Sequence, residues 1–359
     1  MLKEKPSLSV RARKSNWRPS KPEAESDMKV IQLLEPSLHA LRPTTLPDPV
    51  PGPGEVLVRL HAAALNYVDL MVANGGFPAR YPLVPVADGA GDVVALGADV
   101  ADIAIGARVL PHFMPDWHSG PMAPRLTGAM RGITRQGSLA EYVAVPAASL
   151  VALPAHLDYV QGAALPIAAT TAWNAVRAGQ VRPGSTVVIL GTGGVSLFAL
   201  QFAKASGATV ILLSSSDEKL ARGHGLGADH LVNYRATPAW DERVLEITDG
   251  RGADLVVETV GDATFARSLN AAATGGTVFT VGFQSGATTT VDLFKIIGKA
   301  LRVVGNSTGS VADLAEAVRA IEANHIVPII DRTFGLDEVA SAYEALASGR
   351  HFGKVGIVH

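Results

Sequence analysis

The 359-residue chain contains no cysteine. Disulfides, thiolate metal ligands and a cysteine nucleophile are therefore excluded, and a reducing, cytoplasmic setting is the compatible expectation. Net charge is nearly absent as well: 31 Lys and Arg against 33 Asp and Glu leave a formal −2. Bulk electrostatics thus give no reason to expect nucleic acid or an anionic membrane as a partner. Charged residues make up only 18% of the chain and apolar ones 48%, the balance of a globular protein with a large core. The length exceeds what one core usually serves, which predicts two domains. One charge-free run, Pro183 to Ala203, is long enough to imitate a membrane span. Gly191, Gly193 and Gly194 interrupt it and a β-branched stretch leads into it, so it reads as strand, turn and helix. No secretory signal is visible.

Residues 1–27 differ from the rest. Seven basic residues, from Lys3 to Lys21, precede any cluster of acids and no apolar period is present, so the segment reads as a disordered basic tail. An upstream or misassigned start is the preferred account of it, with a transit peptide as the alternative.

From Lys29 to about Ala152 the pattern is one of short strands and turns, such as the alternating Glu55-Val-Leu-Val-Arg-Leu-His after Pro51-Gly-Pro-Gly. Helical signal is sparse there, which predicts a mostly β unit. After Leu157 the texture changes. A helix is expected over Ala163–Ala178, its first turn restricted by Pro166. Strands at 186–190, 209–213, 231–233, 255–258, 277–281 and 301–304 then alternate with helices, which predicts a doubly wound parallel sheet covered on both faces. The last fifty residues hold two further helices and two strands, the final one at 354–358. No internal repeat is present.

Gly191-Thr-Gly-Gly-Val-Ser follows the first strand of this series and opens a helix, the context that a dinucleotide fingerprint requires. Gly191 permits the tight turn, and Gly193 lets backbone approach a pyrophosphate. Gly194 and Val195 begin the helix whose N-terminus meets the charge. Ser196, small but not glycine, takes the third position. The second strand ends in Ser214-Ser-Ser, where an enzyme selecting the 2′-hydroxyl cofactor carries an acid. A hydroxyl can donate to a 2′-phosphate that a carboxylate would repel, and Lys219 and Arg222 lie just beyond. NADP(H) is therefore the preferred cofactor, with NAD(H) possible. Asp217 fits the first turn of the following helix, and Lys219 reads equally well as a solvated helix residue.

Pro51-Gly-Pro-Gly-Glu-Val-Leu-Val-Arg, Asn66-Tyr-Val-Asp-Leu, Pro85-Val-Ala-Asp-Gly-Ala-Gly, Thr171-Ala-Trp-Asn, the glycine turn with its helix, Asn233-Tyr-Arg and His351-Phe-Gly-Lys-Val carry a resemblance. From Met28 to His359 the chain resembles the medium-chain dehydrogenase/reductase superfamily, and within it the zinc-independent, quinone-oxidoreductase-like or NAD(P)-dependent alcohol dehydrogenase branch. The resemblance implies a Rossmann domain (156–308) inserted in a GroES-like, mostly β catalytic domain (28–155 and 309–359). The active site would lie between them, and a homodimer would form through the strand at 301–304. Zinc-dependent relatives hold their metal through cysteine, histidine and cysteine. The matching positions here are Asn66, Ala87 and Ile167, which do not make a zinc site, so no metal is expected. His112, Asp116 and His118 share a loop but match no standard metal spacing.

Without a metal, charge developing on a substrate oxygen needs another source of stabilisation. Tyr67, at the emptied metal corner, is the preferred donor; the alternative is a packed core tyrosine. Phe77 stands where a related reductase branch has a tyrosine. Asn66 would orient substrate or hold the nicotinamide ribose, and Asp69 reads as a structural cap. Trp117 either walls the pocket or packs in the core. The resemblance places Thr171 near the nicotinamide ring, and Tyr234 and Lys354 at the adenosine phosphate and pyrophosphate. Gly261 and Gly282 either admit cofactor to the backbone or are turn glycines. The expected function is hydride transfer between NADPH and a small alcohol, carbonyl, enone or quinone; a non-catalytic NADP-binding sensor or structural protein is the alternative.

Overall fold

The computed structural model describes residues 27–359. Strands β1 (Asp27–Leu33) and β2 (Leu41–Pro47) form an antiparallel hairpin. Asp27, assigned above to the tail, is thus the first residue of β1; the reading of residues 1–26 lies outside the described residues. The next strands are β3 (Glu55–Leu65), β4 (Asp88–Leu96), β5 (Arg108–Pro111), β6 (Tyr142–Pro146) and β7 (Leu150–Ala152). The alternation that predicts β3 continues past His61 into Ala62–Leu65, where both faces are buried. A short helix, Tyr67–Ala73, interrupts the strand-rich region where none was expected. Its local cause is the Asn66/Asp69 pair: the Asn66 N–H donates to Asp69 Oδ2 (2.7 Å), closing the first turn.

The helix expected at Ala163 begins earlier, at Tyr159. Asp158 caps it, accepting from the Gln161 N–H (2.8 Å) while Gln161 Oε1 accepts from the Asp158 N–H (3.0 Å). Pro166 cannot continue an α-helical ladder. A π turn over Leu165–Ala169 takes it in, and the helix resumes as Thr170–Ala178.

Six parallel strands follow: β8 (Thr186–Leu190), β9 (Thr209–Ser214), β10 (His230–Asn233), β11 (Ala253–Glu258), β12 (Ala272–Thr280) and β13 (Arg302–Gly305). Their spatial order is β10-β9-β8-β11-β12-β13. Val187 and Ile189 pack on one face of β8 while Val188 and Leu190 pack on the other, and both faces are buried. That is why the strand reads as an unbroken apolar run. The chain order reverses between β8 and β11, which opens a crevice at their carboxyl ends.

The last strands, β14 (Ile330–Gly335) and β15 (Lys354–Val358), leave this sheet and pair beside β3. The resulting seven-stranded sheet has the order β14-β15-β3-β4-β5-β7, with β6 also on β3. Through β15 the end of the chain reaches the glycine turn: the Gly353 N–H donates to Thr192 O (2.9 Å). No helix among the described residues is long and apolar enough to cross a membrane.

Candidate functional site: a cavity between the two sheets

A cavity of about 880 Å³ runs from the end of β9, past the glycine turn, to the helix Tyr67–Ala73. Neither aspartate nor glutamate lines it, whereas Lys219, Arg267 and Lys354 all do. Such a wall is complementary to a polyanion.

At the turn Gly191 sits at φ 76°, where a side chain would be strained. Gly193 precedes the helix Gly194–Ala205, and a Cβ added to it would meet nothing within 4 Å, so space for a ligand remains against the backbone. Val195 also lines the cavity. Ser196 Oγ donates to Leu190 O (2.7 Å), so the hydroxyl at the third fingerprint position ties the helix to the strand end. These features fit a pyrophosphate at a helix N-terminus.

Ser214 ends β9 and lines the cavity with Ser215, Lys219 and Tyr234. Lys219 is not a freely solvated helix residue: its ammonium donates to Gly349 O (3.0 Å), and burial lowers its pKa. Asp217 lies off the cavity in the first turn of its helix and accepts from Asn233 Nδ2 (2.7 Å). Arg222 corrects the sequence reading. It stacks on the Phe352 ring (4.1 Å) and pairs with Asp331 (3.6 Å), away from the cavity. Arg267, ion-paired with Asp241, and His351 line the cavity but were not anticipated. The helix register that turns Arg267 inward depends on packing against the sheet, and no local sequence signal gives it.

The other end is apolar, walled by Phe77, Phe113, Met114, Met130, Ile167 and Phe283. Tyr67 stands among them, 41% exposed, its ring edge-on to Phe283 (5.8 Å between centroids). It is a cavity residue and not a packed core tyrosine. Thr171 lines the cavity as well. Gly282 also lines the cavity, but its smallness is required by the chain itself: a Cβ there would meet Thr259 O at 1.8 Å. Gly261, expected beside the cofactor, lies outside the lining; it caps the helix Asp262–Ala271 at φ 105°, where a Cβ would meet Gly286 O at 2.6 Å. Trp117 is buried in the core, its indole N–H donating to Gly120 O (3.0 Å). His112 is buried while Asp116 and His118 are exposed, so these three do not converge.

Behind Tyr67, the residues at the three metal-ligand positions are engaged otherwise. Asn66 Nδ2 donates to Asp88 Oδ2 (2.8 Å) and Ala64 O (3.4 Å), and Asn66 Oδ1 accepts from the Lys354 ammonium (2.6 Å). Both amide hydrogens are therefore spent, and Asn66 has no donor left for a substrate carbonyl. The Ile167 N–H also donates to Asp88 Oδ2 (3.3 Å). Asp69 acts as the expected cap, its carboxylate accepting from the Asn66 and Ala87 N–H groups (2.7 and 3.0 Å). Lys354 sends its ammonium to Leu65 O (2.7 Å) and Asn66 Oδ1 and lies 3.8 Å from Asp88, while its stem packs on Gly194. Its charged end is thus committed to this corner. Burial pushes the Asp88 carboxyl up to about 7, against the pull of Lys354, and burial lowers the Lys354 pKa. Val86, two residues before Asp88, is held at φ 72°, a costly conformation for a buried β-branched residue. The donor set here is an amide whose oxygen already binds a cation, one carboxylate and two apolar side chains. It does not fit zinc, which needs three or four N, S or O ligands free to converge.

Two family patterns match the chain. Residues 52–155 match the alcohol dehydrogenase GroES-like domain, and residues 194–323 match the zinc-binding dehydrogenase family. A zinc-type alcohol dehydrogenase-like protein of Schizosaccharomyces pombe is 42% identical over 313 residues, covering 85% of this chain and 90% of its own. A quinone oxidoreductase of Pseudomonas aeruginosa is 34% identical over 319 residues, covering 84% and 90%. Among solved structures, an NAD-dependent alcohol dehydrogenase superposes with a TM-score of 0.84 at 34% identity, covering 92% of this chain and all of that one. The strand order, the glycine turn and these likenesses, which run through both sheets, agree: the chain belongs to the medium-chain dehydrogenase/reductase superfamily and is an oxidoreductase of the alcohol dehydrogenase and quinone oxidoreductase type.

Proposed function

We propose that the protein is a zinc-independent, NADPH-preferring oxidoreductase acting on a small apolar carbonyl, enone, quinone or the corresponding alcohol. One observation carries this reading: a single cavity whose lining holds no carboxylate, with Ser214 and Lys219 at one end, joins the glycine turn to an apolar end that holds Tyr67. When bound, the nicotinamide supplies or takes up hydride at its C4 carbon. The amides of Gly193, Gly194 and Val195 would hold the pyrophosphate. Ser214, Ser215, Lys219 and Tyr234 would hold the adenosine end and its 2′-phosphate, and Thr171 the nicotinamide side. The apolar wall excludes water and orients the substrate. The Tyr67 hydroxyl donates to the developing oxyanion and is the proton source for reduction. We assign catalysis to residues 28–155 and 309–359, and cofactor binding to 156–308.

A second copy of the chain is the proposed partner. β13 is a sheet edge, and the neighbouring helix Leu293–Gly298 exposes Leu293, Phe294 and Ile297, with Phe294 82% exposed.

The test is turnover of purified, metal-analysed protein with NADPH or NADH against a panel of quinones, enones and aldehydes. NADPH-dependent turnover that persists after chelation, with less than one zinc per chain, supports the reading. Loss of activity on chelation, or cofactor binding without turnover across the panel, contradicts it.

A further inference from the structure

Lys354 packs its stem on Gly194 of the glycine turn, but its charged end is held elsewhere. Its ammonium is anchored on two acceptors, Leu65 O and Asn66 Oδ1, and these belong to the two residues immediately before Tyr67. Asn66 is in turn locked by Asp88 and Ala64, and its own N–H by Asp69. The helix that carries Tyr67 therefore starts from a point fixed on four sides, and Lys354, coming from the last strand of the chain, is the only one of the four partners that also packs against the nucleotide turn, through its stem on Gly194. Neutralising Asp88 does not by itself explain the lysine. Asp88 is 3.8 Å from it, beyond hydrogen-bond distance, and instead accepts from Asn66 Nδ2 (2.8 Å) and the Ile167 N–H (3.3 Å).

We propose that Lys354 is the positioning residue for Tyr67: it sets the start of the Tyr67 helix relative to the cofactor turn, and so the distance between the phenol and the reacting carbon. The inference rests on Tyr67 being the proton donor of the proposed reaction. It makes Lys354 a residue that acts on turnover through Tyr67, and not a direct pyrophosphate contact.

The test is a mutant cycle with NADPH and 9,10-phenanthrenequinone. The charge-neutral pair Lys354→Met/Asp88→Asn removes the anchor without leaving a buried unpaired carboxylate. Lys354→Met alone, in which Asp88 keeps its hydrogen bonds from Asn66 and Ile167, is measured alongside so that either folded form decides. Each is combined with Tyr67→Phe. The expected result is a fall in kcat of at least about tenfold with the NADPH Kd changed less than about threefold, and no further loss when the change is added to Tyr67→Phe, because the group being positioned is already gone. A kcat loss that multiplies fully with that of Tyr67→Phe overturns the inference, as does a weakened NADPH Kd with kcat retained. If the wild type turns over and Tyr67→Phe is impaired while the Lys354 variants are not, this inference alone fails. An inactive wild type, or an unimpaired Tyr67→Phe, overturns the functional reading and this inference with it.

Discussion

The two ends of the cavity are built on opposite plans. The end assigned to the cofactor is built mainly from two contiguous stretches, 191–196 and 214–219, each a strand end running into a helix, with Thr171 and Tyr234 added from other elements. The reacting end draws Asn66, Asp88, Ile167 and Lys354 from four separate elements, and hydrogen bonds assemble them. At the first end the conformation follows from local glycine chemistry. At the second it exists only because β15 crosses back to lie beside β3. A local plan tolerates change in its surroundings; an assembled one is expected to fail as a unit.

Four changes test that contrast, in order of expected effect. Gly282→Ala forces a Cβ onto the Thr259 carbonyl, 1.8 Å away. A loss of about 3 kcal/mol, the upper part of the overpacking range, is expected in urea unfolding; a shift under about 1 kcal/mol would mean the β11–β12 approach yields easily.

The second change is acidification. Burial holds the His112 pKa at about 4, against about 6.5 unfolded, and its Nε2 has no partner. Between these values the unfolded chain takes up a proton that the folded chain refuses. Stability due to His112 is therefore lost as pH falls from 6.5 to about 4, by up to about 3 kcal/mol. Asp88, raised to about 7, has the opposite sign: its contribution is present below about 3.8 and is lost as pH rises towards 7. His112→Gln should flatten the acid-side loss in urea midpoints taken from pH 7 to 4; the same slope in variant and wild type would show that His112 titrates normally.

Tyr67→Phe should lower kcat at least about 100-fold, about 2.7 kcal/mol, at unchanged cofactor affinity. Wild-type kinetics would remove the tyrosine from the reaction. Ser214→Asp should move the NADPH/NADH ratio of kcat/KM towards NADH by about tenfold, about 1.4 kcal/mol. An unchanged ratio would place the 2′-phosphate away from the end of β9.

The same contrast decided what could be read from residues alone. The six alternating strands and the glycine turn were legible because hydrophobic period and turn chemistry are local. Ser214 was legible because it sits at a strand end that the apolar run marks. Arg222 was misread for the complementary reason: one helix turn beyond Lys219, it is drawn to Asp331 and Phe352. Gly261 looked like a cofactor glycine but caps the helix Asp262–Ala271. The Asn66–Asp88–Lys354 corner was only partly visible. Each residue was noted, but their mutual engagement depends on positions 288 and 22 residues apart in the chain. Val86 at positive φ beside them carries no sequence signal, since valine disfavours that conformation.

Calorimetric titration of the purified protein with NADPH, on a sample whose metal content has been measured, decides whether the cavity is a metal-free nucleotide site. One NADPH is expected to bind per chain, more tightly than NADH, in protein carrying less than one zinc. Absence of binding by either nucleotide, or binding that requires stoichiometric zinc, would contradict it.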